Sequence, residues 1–384
     1  MKSPYLLGVA LLLSACAPTA AIRPPVQTVE TPVVAPPSEQ TDPSPTSEII
    51  VARSTPRVGP SLAQRADVQV FIREMATKHG FNPNRLQAIF SRARTQPSII
   101  RAMSRPAEAK PWYAYRDIFI NDRRIRGGVK FWRAHAATLA KAERIYGVPP
   151  EIVVAIIGVE TQYGGNMGNY RVLEALSTLA FDYPRRADYF RKELENYLLL
   201  TRAEGIDPLA LRGSYAGAMG LGQFMPSSFL SYAVDFDGDG HRDLWDNPRD
   251  AIGSVANYFN KHGWRGGEPI TVPASVSGVR YSQWVSRKLA PPTDSVASLQ
   301  AQGISPSRPV RGGQSAMLLE FEGRNGLEYW LGFANFYVIT RYNHSQLYAM
   351  AVHQLGQAIG EQYAHFDASA FPWARVALID EVFW

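Results

Sequence analysis

The segment "PPEIVVAIIGVETQYGG", residues 149–165, is a long apolar run that ends in a single carboxylate, Glu160. The run is apolar on every face of a helix, which predicts a helix in the centre of the fold. The two prolines suit the first turn of that helix, and the two glycines suit its C-terminal cap. The sequence therefore predicts one acid at the end of a core helix.

Glu160 follows Ile156 and Ile157 by one turn on the same side of this helix, so we expect partly dry surroundings. Desolvation and the negative end of the helix dipole both disfavour the carboxylate and raise its pKa. A carboxylic acid that stays protonated near neutral pH can protonate the leaving oxygen of a glycosidic bond. The alternative is a Glu side chain that only reaches solvent past the helix end.

The length and composition are those of a chain longer than one average domain. Its 384 residues are 46% hydrophobic and 19% charged, enough for a sizeable core in two or three subdomains. The net charge is +6, and Arg outnumbers Lys, which suits bidentate recognition of carboxylates or phosphates and is compatible with an anionic polymer as partner. The charge alone is equally compatible with a protein that has no such partner. We find no zinc knuckle, basic helix or glycine-rich phosphate loop that would favour nucleic acid.

The N-terminus has the features of an export signal. Residues 1–16, "MKSPYLLGVALLLSAC", combine Lys2, a short apolar segment and small residues before Cys16. "LSAC" resembles the bacterial lipobox, which predicts a lipoprotein signal peptide and lipidation of Cys16. Ala17 in place of Asp fits sorting to the outer membrane, so we expect a periplasmic protein with a lipid anchor. An ordinary secretory signal is the alternative. Residues 17–61 are rich in Pro and predict a disordered tether.

The folded part is predicted to be mainly α (an α+β fold), with a small sheet after Trp264. Helical periodicity appears in residues 68–80, 85–93, 131–147, 149–165, 186–202, 250–262 and 344–363. Short β-branched or aromatic runs predict strands in "EPITVPASV" (268–276), "SAMLLEFEG" (315–323) and "FYVITRY" (336–342).

Four motifs carry a family resemblance, and they are "GVETQYGGNMGNYRVLEALSTLAFDYPRRADYF", "SYAGAMGLGQFMPSSF", "DFDGDGHRDLWDNPRDAIGSVANYF" and "NFYVITRYNHSQLYAMAV". In this order they resemble the membrane-bound lytic murein transglycosylase B family. The resemblance implies a lysozyme-like core, an additional α domain, a small β domain and an EF-hand-like loop. It divides the catalytic region 62–384 into an α part (62–145 and 174–212), the core (146–173 and 213–264), the β part (265–335) and a C-terminal helical segment (336–384).

The family cleaves the β-1,4 bond between N-acetylmuramic acid and N-acetylglucosamine in peptidoglycan. The resemblance implies that Glu160 is the only catalytic acid/base and that the product is a 1,6-anhydromuramyl end. It also implies that catalysis needs no cofactor, that peptidoglycan strands are the substrate, and that cell-wall synthesis or division proteins are candidate partners.

The resemblance further assigns substrate contacts. Polar groups near the scissile bond and the acetamido group are expected at Ser214 and Gln223, and a possible sugar ligand at Asn343. Aromatic residues expected to line the cleft are Tyr115, Tyr189, Phe224, Tyr258, Tyr342 and Tyr348. Arg185 and Arg186 follow "DYP", where a turn would expose them, and an Arg pair can bind the carboxylates of stem peptides. For each, an ordinary structural role is the alternative.

"DFDGDGHRDLWD", residues 235–246, has the spacing of a calcium loop. Asp235, Asp237 and Asp239 take positions one, three and five, and His241 offers a backbone carbonyl at seven. Asp246 at position twelve is shorter than the usual Glu, and the resemblance makes Asp250 the closing ligand. We expect a structural Ca²⁺ here.

Two other functions remain open from the sequence. The chain could be an envelope lipoprotein that binds peptidoglycan without cleaving it, or a lysozyme-type muramidase. The half-buried acid beside an intact "GQFMP" favours the lytic transglycosylase, because a protein that only binds glycan has no use for such an acid.

Overall fold

The computed structural model describes residues 61–104 and 110–370, and of residues 366–370 only the backbone. The predicted signal peptide with Cys16, and nearly all of the predicted tether, lie outside the described residues. Within the described residues, none of the helices combines the length and the hydropathy that a bilayer crossing requires.

The described chain is mostly helical. The first helices are α1 (Ala66–His79), α2 (Pro83–Ser91), α3 (Pro97–Met103), α4 (Trp112–Phe119), α5 (Asp122–Ala134), α6 (Ala136–Tyr146) and α7 (Pro150–Thr161). They are followed by α8 (Val172–Asp182), α9 (Ala187–Ala203), α10 (Pro226–Tyr232), α11 (Pro248–Lys261), α12 (Val296–Ala301), α13 (Ala334–Tyr342) and α14 (Gln346–Ala370). Short 3-10 turns cover Leu62–Gln64, Pro184–Arg186 and Arg280–Trp284.

Helix α7 is the centre of the helical body, as its apolar run predicts. Every residue from Ile152 to Val159 is buried, and α5, α6, α11 and α14 all pack against it. Pro149 is the N-cap and Pro150 the first helical residue, where the missing N–H of proline costs no hydrogen bond. The packing of these four helices around α7 therefore fixes the position of Glu160 at its end.

A small antiparallel sheet follows the helical body. Its strands, in the spatial order β4-β6-β7-β3-β5, are β3 (Thr271–Val276), β4 (Asp294–Ser295), β5 (Ile304–Pro306), β6 (Ser315–Gly323) and β7 (Gly326–Gly332). A separate pair joins β1 (Tyr170–Arg171) to β2 (Arg212–Gly213). Strands β6 and β7 form a hairpin in which Gly323 pairs with Gly326.

Strand β6 joins two apolar cores because successive side chains point to opposite faces. Met317, Leu319 and Phe321 pack into the core of the helical body. Ala316 and Leu318 pack into a second core, which includes Val296 of α12. The sheet is thus attached to the helices through one face of this strand.

The prediction of a strand at residues 336–342 is wrong, because this segment is helix α13. Burial along it does not alternate: Phe336, Val338, Ile339 and Thr340 are all buried, as on the inner face of a helix. The side chain of Asn335 fixes the first turn by donating to the carbonyls of Arg265 (2.8 Å) and Glu268 (3.0 Å). Tertiary packing thus overrides the β propensity of the aromatic and β-branched residues.

The predicted fold class is confirmed, since the chain is mainly α with one small sheet. The segment 131–147, predicted as one helical stretch, is divided at His135 between α5 and α6. The predicted division of residues 62–384 into parts stays a prediction.

Candidate active site

Helix α7 ends immediately after Glu160. The predicted glycine cap is wrong, because Gln162 is the C-cap and adopts left-handed backbone (φ 52°), as does Tyr163 (φ 61°). Left-handed conformations are strained for residues with a Cβ atom, and surrounding contacts must hold them. The chain therefore turns sharply at the point where it presents the acid.

Glu160 is partly exposed as a residue, and it directly follows the buried residues of α7. Burial raises the pKa of Glu160 to about 7, while a hydrogen bond from Tyr348 opposes this rise. Among the described residues, no second acid contributes to this shift. The hydroxyl of Tyr348 donates to Oε1 of Glu160 at 2.6 Å. This hydrogen bond restricts the orientation of the carboxyl group.

Tyr348 is fully buried on α14, so it supports Glu160 from inside the core. The sequence predicts Tyr348 in the lining of the cleft, and that role stays a prediction. Burial and the neighbouring Glu160 raise the pKa of Tyr348 well above its ordinary value, so the phenol stays a donor. Tyr115 adds to this rise, which places its phenol within electrostatic range of Tyr348.

An aromatic cluster adjoins the acid. The ring of Tyr342 lies 4.8 Å from that of Tyr258 and 6.0 Å from that of Phe224, centroid to centroid. Its hydroxyl donates to the carbonyl of Gly222 at 2.5 Å, and burial and Glu160 raise its pKa well above the ordinary value. Phe224 and Tyr258 are themselves buried, which fixes the orientation of Tyr342.

The glycine-rich loop that follows β2 packs against the end of α7. Thr161, which is fully buried, lies with Oγ1 2.9 Å from the carbonyl of Leu221, to which it can donate. Gln223 has left-handed backbone (φ 50°) and donates through its amide to the carbonyls of Met167 (3.2 Å) and Gly220 (3.0 Å). Ser214 is nearly buried and accepts from the backbone N–H of Ala218.

The other expected substrate residues lie at the surface of the helical body. Arg185 is exposed, and the guanidinium of Arg186 stacks over the ring of Tyr189 at 4.4 Å. Tyr189 is 37% exposed. Its phenol contributes to the raised pKa of Tyr258, so it lies within electrostatic range of the aromatic cluster. Asn343 is partly exposed directly after α13. Their roles in binding substrate stay predictions.

Tyr163 was not among the predicted site residues, and its side chain packs against α5 and the end of α7. Its hydroxyl donates to the carbonyl of Arg124 at 2.8 Å. Its ring fills space that exists only because Gly127 and Gly158 have no side chain: a Cβ atom there would lie 2.7 and 2.5 Å from Tyr163 atoms. Glycines inside two helices, α5 and α7, were the available signal of such a close approach.

The acidic loop before α11 and the first turn of α11 together bring three carboxylates close to one another. Asp235, Asp237 and Asp250 offer oxygen atoms that lie within 4.8 Å of one another. Asp250 is fully buried, and its two oxygens accept from the backbone N–H groups of Phe236 (2.7 Å) and Asp243 (2.8 Å). Burial, with Asp237 and Asp235 nearby, raises the pKa of Asp250.

The carboxylate of the expected ligand Asp239 is not part of this group of three, and ligation by the backbone carbonyl of His241 stays a prediction. The carboxylate of Asp239 accepts from the backbone N–H of His241 at 2.9 Å, so it closes a local turn. Asp237 also accepts from the side chains of Asn247 (3.0 Å) and Arg249 (3.4 Å). The remaining set of hard oxygen donors, one of them buried, fits Ca²⁺ in its chemistry.

Residues 63–357 match the family described as "Transglycosylase SLT domain". The chain belongs to this transglycosylase family. It is 49% identical over 313 residues to membrane-bound lytic murein transglycosylase B of Escherichia coli (strain K12), covering 79% of this chain and 85% of the relative.

Two solved structures show the same similarity. The soluble lytic transglycosylase SltB1 from Pseudomonas aeruginosa is 53% identical, with a TM-score of 0.75 over 78% of this chain and 99% of that one. The Escherichia coli lytic transglycosylase Slt35, solved in complex with calcium, is 48% identical, with a TM-score of 0.74 over 80% of this chain and 96% of that one.

Proposed function

We propose that this transglycosylase family member cleaves the β-1,4 bond between N-acetylmuramic acid and N-acetylglucosamine in peptidoglycan and leaves 1,6-anhydromuramyl ends. The observation that carries the proposal is a single carboxyl group, Glu160, with a pKa near 7 and a buried tyrosine donor. The names of its relatives, which are lytic murein transglycosylases, support the substrate.

One acid has to serve both halves of the reaction. At neutral pH a large fraction of Glu160 is protonated, so it can donate to the leaving oxygen as the glycosidic bond breaks. The substrate's own acetamido group supports the positive charge that develops at C1. The resulting carboxylate, with its negative charge stabilised by the Tyr348 hydroxyl, accepts the proton of the muramyl C6 hydroxyl as that oxygen attacks C1.

Attack by the substrate's own hydroxyl explains why one carboxylate suffices. Inverting and retaining glycosidases ordinarily use two carboxylates, one of them for water or for a covalent intermediate. A hydroxyl tethered to the reacting sugar has a high effective concentration relative to a separate nucleophile. Among the described residues, burial and Tyr348 alone account for the altered pKa of Glu160, which agrees with a site built around a lone acid.

We also propose that Asp235, Asp237 and Asp250 hold a structural Ca²⁺. Three carboxylates within 4.8 Å repel one another, and a divalent cation removes that repulsion. The ion would fix the loop between α10 and α11 and would take no part in proton transfer. The calcium complex of the Escherichia coli relative supports this assignment.

We further propose that the protein is exported and that Cys16 carries a lipid anchor. The name of the Escherichia coli relative describes a membrane-bound enzyme, which supports an attachment of this chain to a membrane. We expect the anchor in the outer membrane facing the periplasm, where peptidoglycan lies. Replacement of Cys16 by Ser should release the protein from the membrane fraction of its host.

The decisive experiment is a digest of purified peptidoglycan with the wild type and with Glu160→Gln, followed by mass spectrometry of the products. We expect anhydro ends from the wild type and a loss of about a thousandfold in rate for the variant, since the amide cannot donate the proton. Reducing ends from the wild type would indicate a muramidase, and binding without cleavage would indicate a glycan-binding protein; either result would contradict the proposal.

A further inference from the structure

The end of helix α7, which presents Glu160, is contacted by an arginine of the neighbouring helix α5. Arg124 lies in the first turn of α5, and its Nε donates to the carbonyl of Gly158 at 3.3 Å. The same guanidinium group donates to the carbonyl of Ile118 and lies over the ring of Phe119, 5.1 Å from its centroid. One planar side chain therefore joins the end of α7 to the end of α4.

The end of α7 is a favourable position for a cation. The last four carbonyls of a helix have no donor within the helix, and they carry a partial negative charge. Because α7 ends at Thr161, the carbonyl of Gly158 is one of these four, and it accepts from the backbone N–H of Gln162 at 3.2 Å as well as from Arg124. Arg124 is only partly exposed, so its charge-assisted hydrogen bond is weakened less by water than one at the surface.

The backbone that follows Glu160 needs support from its neighbours. Gln162 and Tyr163 both adopt left-handed backbone, which is unfavourable for residues with a Cβ atom and persists where surrounding contacts hold it. The hydroxyl of Tyr163 donates to the backbone carbonyl of Arg124 at 2.8 Å. Arg124 thus contacts this turn twice, through its guanidinium group at Gly158 and through its carbonyl at Tyr163.

We propose that Arg124 is a positioning residue: together with Tyr163 it holds the left-handed turn at the end of α7 and so fixes the position of the Glu160 carboxyl group relative to the substrate. Its two contacts, at Gly158 and Tyr163, lie on either side of the acid in the chain. A general acid must come within about 2.6–3.2 Å of the oxygen that it protonates, so a small displacement lowers the rate. This inference rests on the proposed function, because that function makes Glu160 the acid.

A direct electrostatic effect of Arg124 on the acid would be a different mechanism, and the structure favours the geometric one. The guanidinium group donates to the backbone carbonyls of Gly158 and Ile118. Burial and the hydrogen bond from Tyr348 account for the altered pKa of Glu160, and among the described residues Arg124 does not contribute to it. Loss of Arg124 should therefore lower the rate without changing its dependence on pH.

The test compares Arg124→Ala with the loss of an arginine at the end of another helix. Arg202 donates to the carbonyl of His79, the last residue of α1, at 2.8 Å, and its guanidinium group lies 4.0 Å from the centroid of the Phe81 ring. Arg202→Ala therefore removes the same charge, a hydrogen bond to a helix end and a contact with an aromatic ring.

Two milder variants accompany Arg124→Ala. Arg124→Lys keeps the charge and the aliphatic stem but loses the planar group that reaches two carbonyls. Tyr163→Phe keeps the ring and removes only the hydroxyl that donates to Arg124. Melting temperatures verify that each variant is folded, and the milder pair serves for the comparison if Arg124→Ala does not fold.

The first readout separates kcat from KM on soluble peptidoglycan fragments, with the full chain. We expect kcat of Arg124→Ala to fall about tenfold at unchanged KM, because the acid acts as the bond breaks and not in binding of the substrate. Arg124→Lys and Tyr163→Phe should lose less, and Arg202→Ala should match the wild type. The alkaline limb of kcat/KM should lie at the same pH in all of them.

The second readout is hydrogen exchange, which needs no activity. The backbone N–H groups of Gln162 and Tyr163 donate to carbonyls of the last turn of α7, at 3.2 and 3.3 Å. Exchange in the peptide that contains both residues therefore reports how firmly the turn is held. We expect about tenfold faster exchange there in Arg124→Ala, and wild-type exchange in Arg202→Ala.

Equal kcat values for Arg124→Ala and Arg202→Ala would overturn the inference, and so would unchanged hydrogen exchange at the turn. A shifted alkaline limb would also overturn it, since Arg124 would then act through its charge. A higher KM at unchanged kcat would instead assign Arg124 to substrate binding, again against the inference. The digest of peptidoglycan by the wild type tests the proposed function separately: without cleavage that function fails, while hydrogen exchange still shows whether Arg124 holds the turn.

Discussion

At the scale of single residues, the activity depends on the protonation of Glu160. Its pKa of about 7 means that the acid form, which the first step needs, is lost as the pH rises through 7. The rate constant kcat/KM should therefore fall above that pH. The Tyr348 hydrogen bond favours the charged form and so limits how far burial raises this pKa.

The substitution Tyr348→Phe separates the effect of burial on the pKa of Glu160 from the effect of the hydrogen bond, because it keeps the buried ring and removes the donor. We expect the pKa of Glu160 to rise, so the alkaline limb of the kcat/KM profile should move to higher pH. The maximal rate should fall about tenfold, since the carboxyl group loses the contact that orients it. The measurement is a pH–rate profile of anhydro product formation.

The control for this variant is Tyr197→Phe. Tyr197 is also fully buried, and its hydroxyl donates to the carbonyl of Pro208 at 2.8 Å, so the control loses a comparable hydrogen bond. Its pH profile should match that of the wild type. An unchanged alkaline limb in Tyr348→Phe would mean that the tyrosine does not influence the acid.

At the scale of elements, the end of α7 depends on close packing between helices. Gly158→Ala would place a Cβ atom 2.5 Å from the Tyr163 hydroxyl and 2.6 Å from the ring carbon that carries it. We expect the free energy of unfolding to fall by about 2 kcal/mol, the cost of overpacking a core, although alanine is the better helix former. Urea denaturation measures this loss.

Gly360→Ala on α14 is the matched substitution, because its Cβ would meet the nearest atom at an ordinary 3.8 Å. Here helix propensity should prevail, and the free energy of unfolding should rise by about 0.5 kcal/mol. If both variants were equally stable, the contact between Tyr163 and the helical glycines would have no energetic role.

The acidic loop is the second element whose behaviour can be tested. Calcium should stabilise the wild type by about 2.7 kcal/mol at a hundredfold excess over its Kd, because the ion binds only the folded loop. Asp250→Asn should lose this gain, since the buried carboxylate is the one that joins the loop to α11. Calorimetry with calcium and with a chelator gives the difference in Tm.

Asp246→Asn is the control for the calcium loop, since Asp246 is exposed and lies outside the group of three carboxylates. It should keep the full calcium-dependent rise in Tm. A rise that persists in Asp250→Asn, or that is absent in the wild type, would contradict the proposed ion.

At the scale of the whole molecule, the two apolar cores share strand β6. Leu319 belongs to the core of the helical body, and its neighbour Leu318 belongs to the core of the sheet; both are fully buried. We expect Leu319→Ala and Leu318→Ala each to lower the free energy of unfolding by about 3 kcal/mol, in one cooperative transition. Scanning calorimetry tests this through the ratio of calorimetric to van't Hoff enthalpy.

The control is Leu327→Ala in β7, next to the β6–β7 turn, where the side chain is 54% exposed and the change in the free energy of unfolding should stay within about 0.5 kcal/mol. A separate transition at lower temperature in Leu318→Ala alone would show that the sheet unfolds independently. In that case the sheet and the helices would be two thermodynamic domains.

The local pattern of residues was enough to predict the main features of this chain. The unbroken apolar run before Glu160 predicts a buried helix with an acid at its end, because a helix that is apolar on every face is stable only inside the core. The same holds for the strands at 271–276 and 315–323, and for the spacing of Asp235 and Asp237. These features depend on interactions within one element or one loop.

Packing between distant segments determined the rest. Tyr348 reaches Glu160 across 188 positions of sequence, and Asp250 joins the carboxylate group while Asp239 closes a local turn. Residues 336–342 have strand propensity but form α13, whose inner face is buried against the core. Propensity and periodicity act over a few residues, whereas these contacts arise when the core brings remote side chains within a few ångströms of one another.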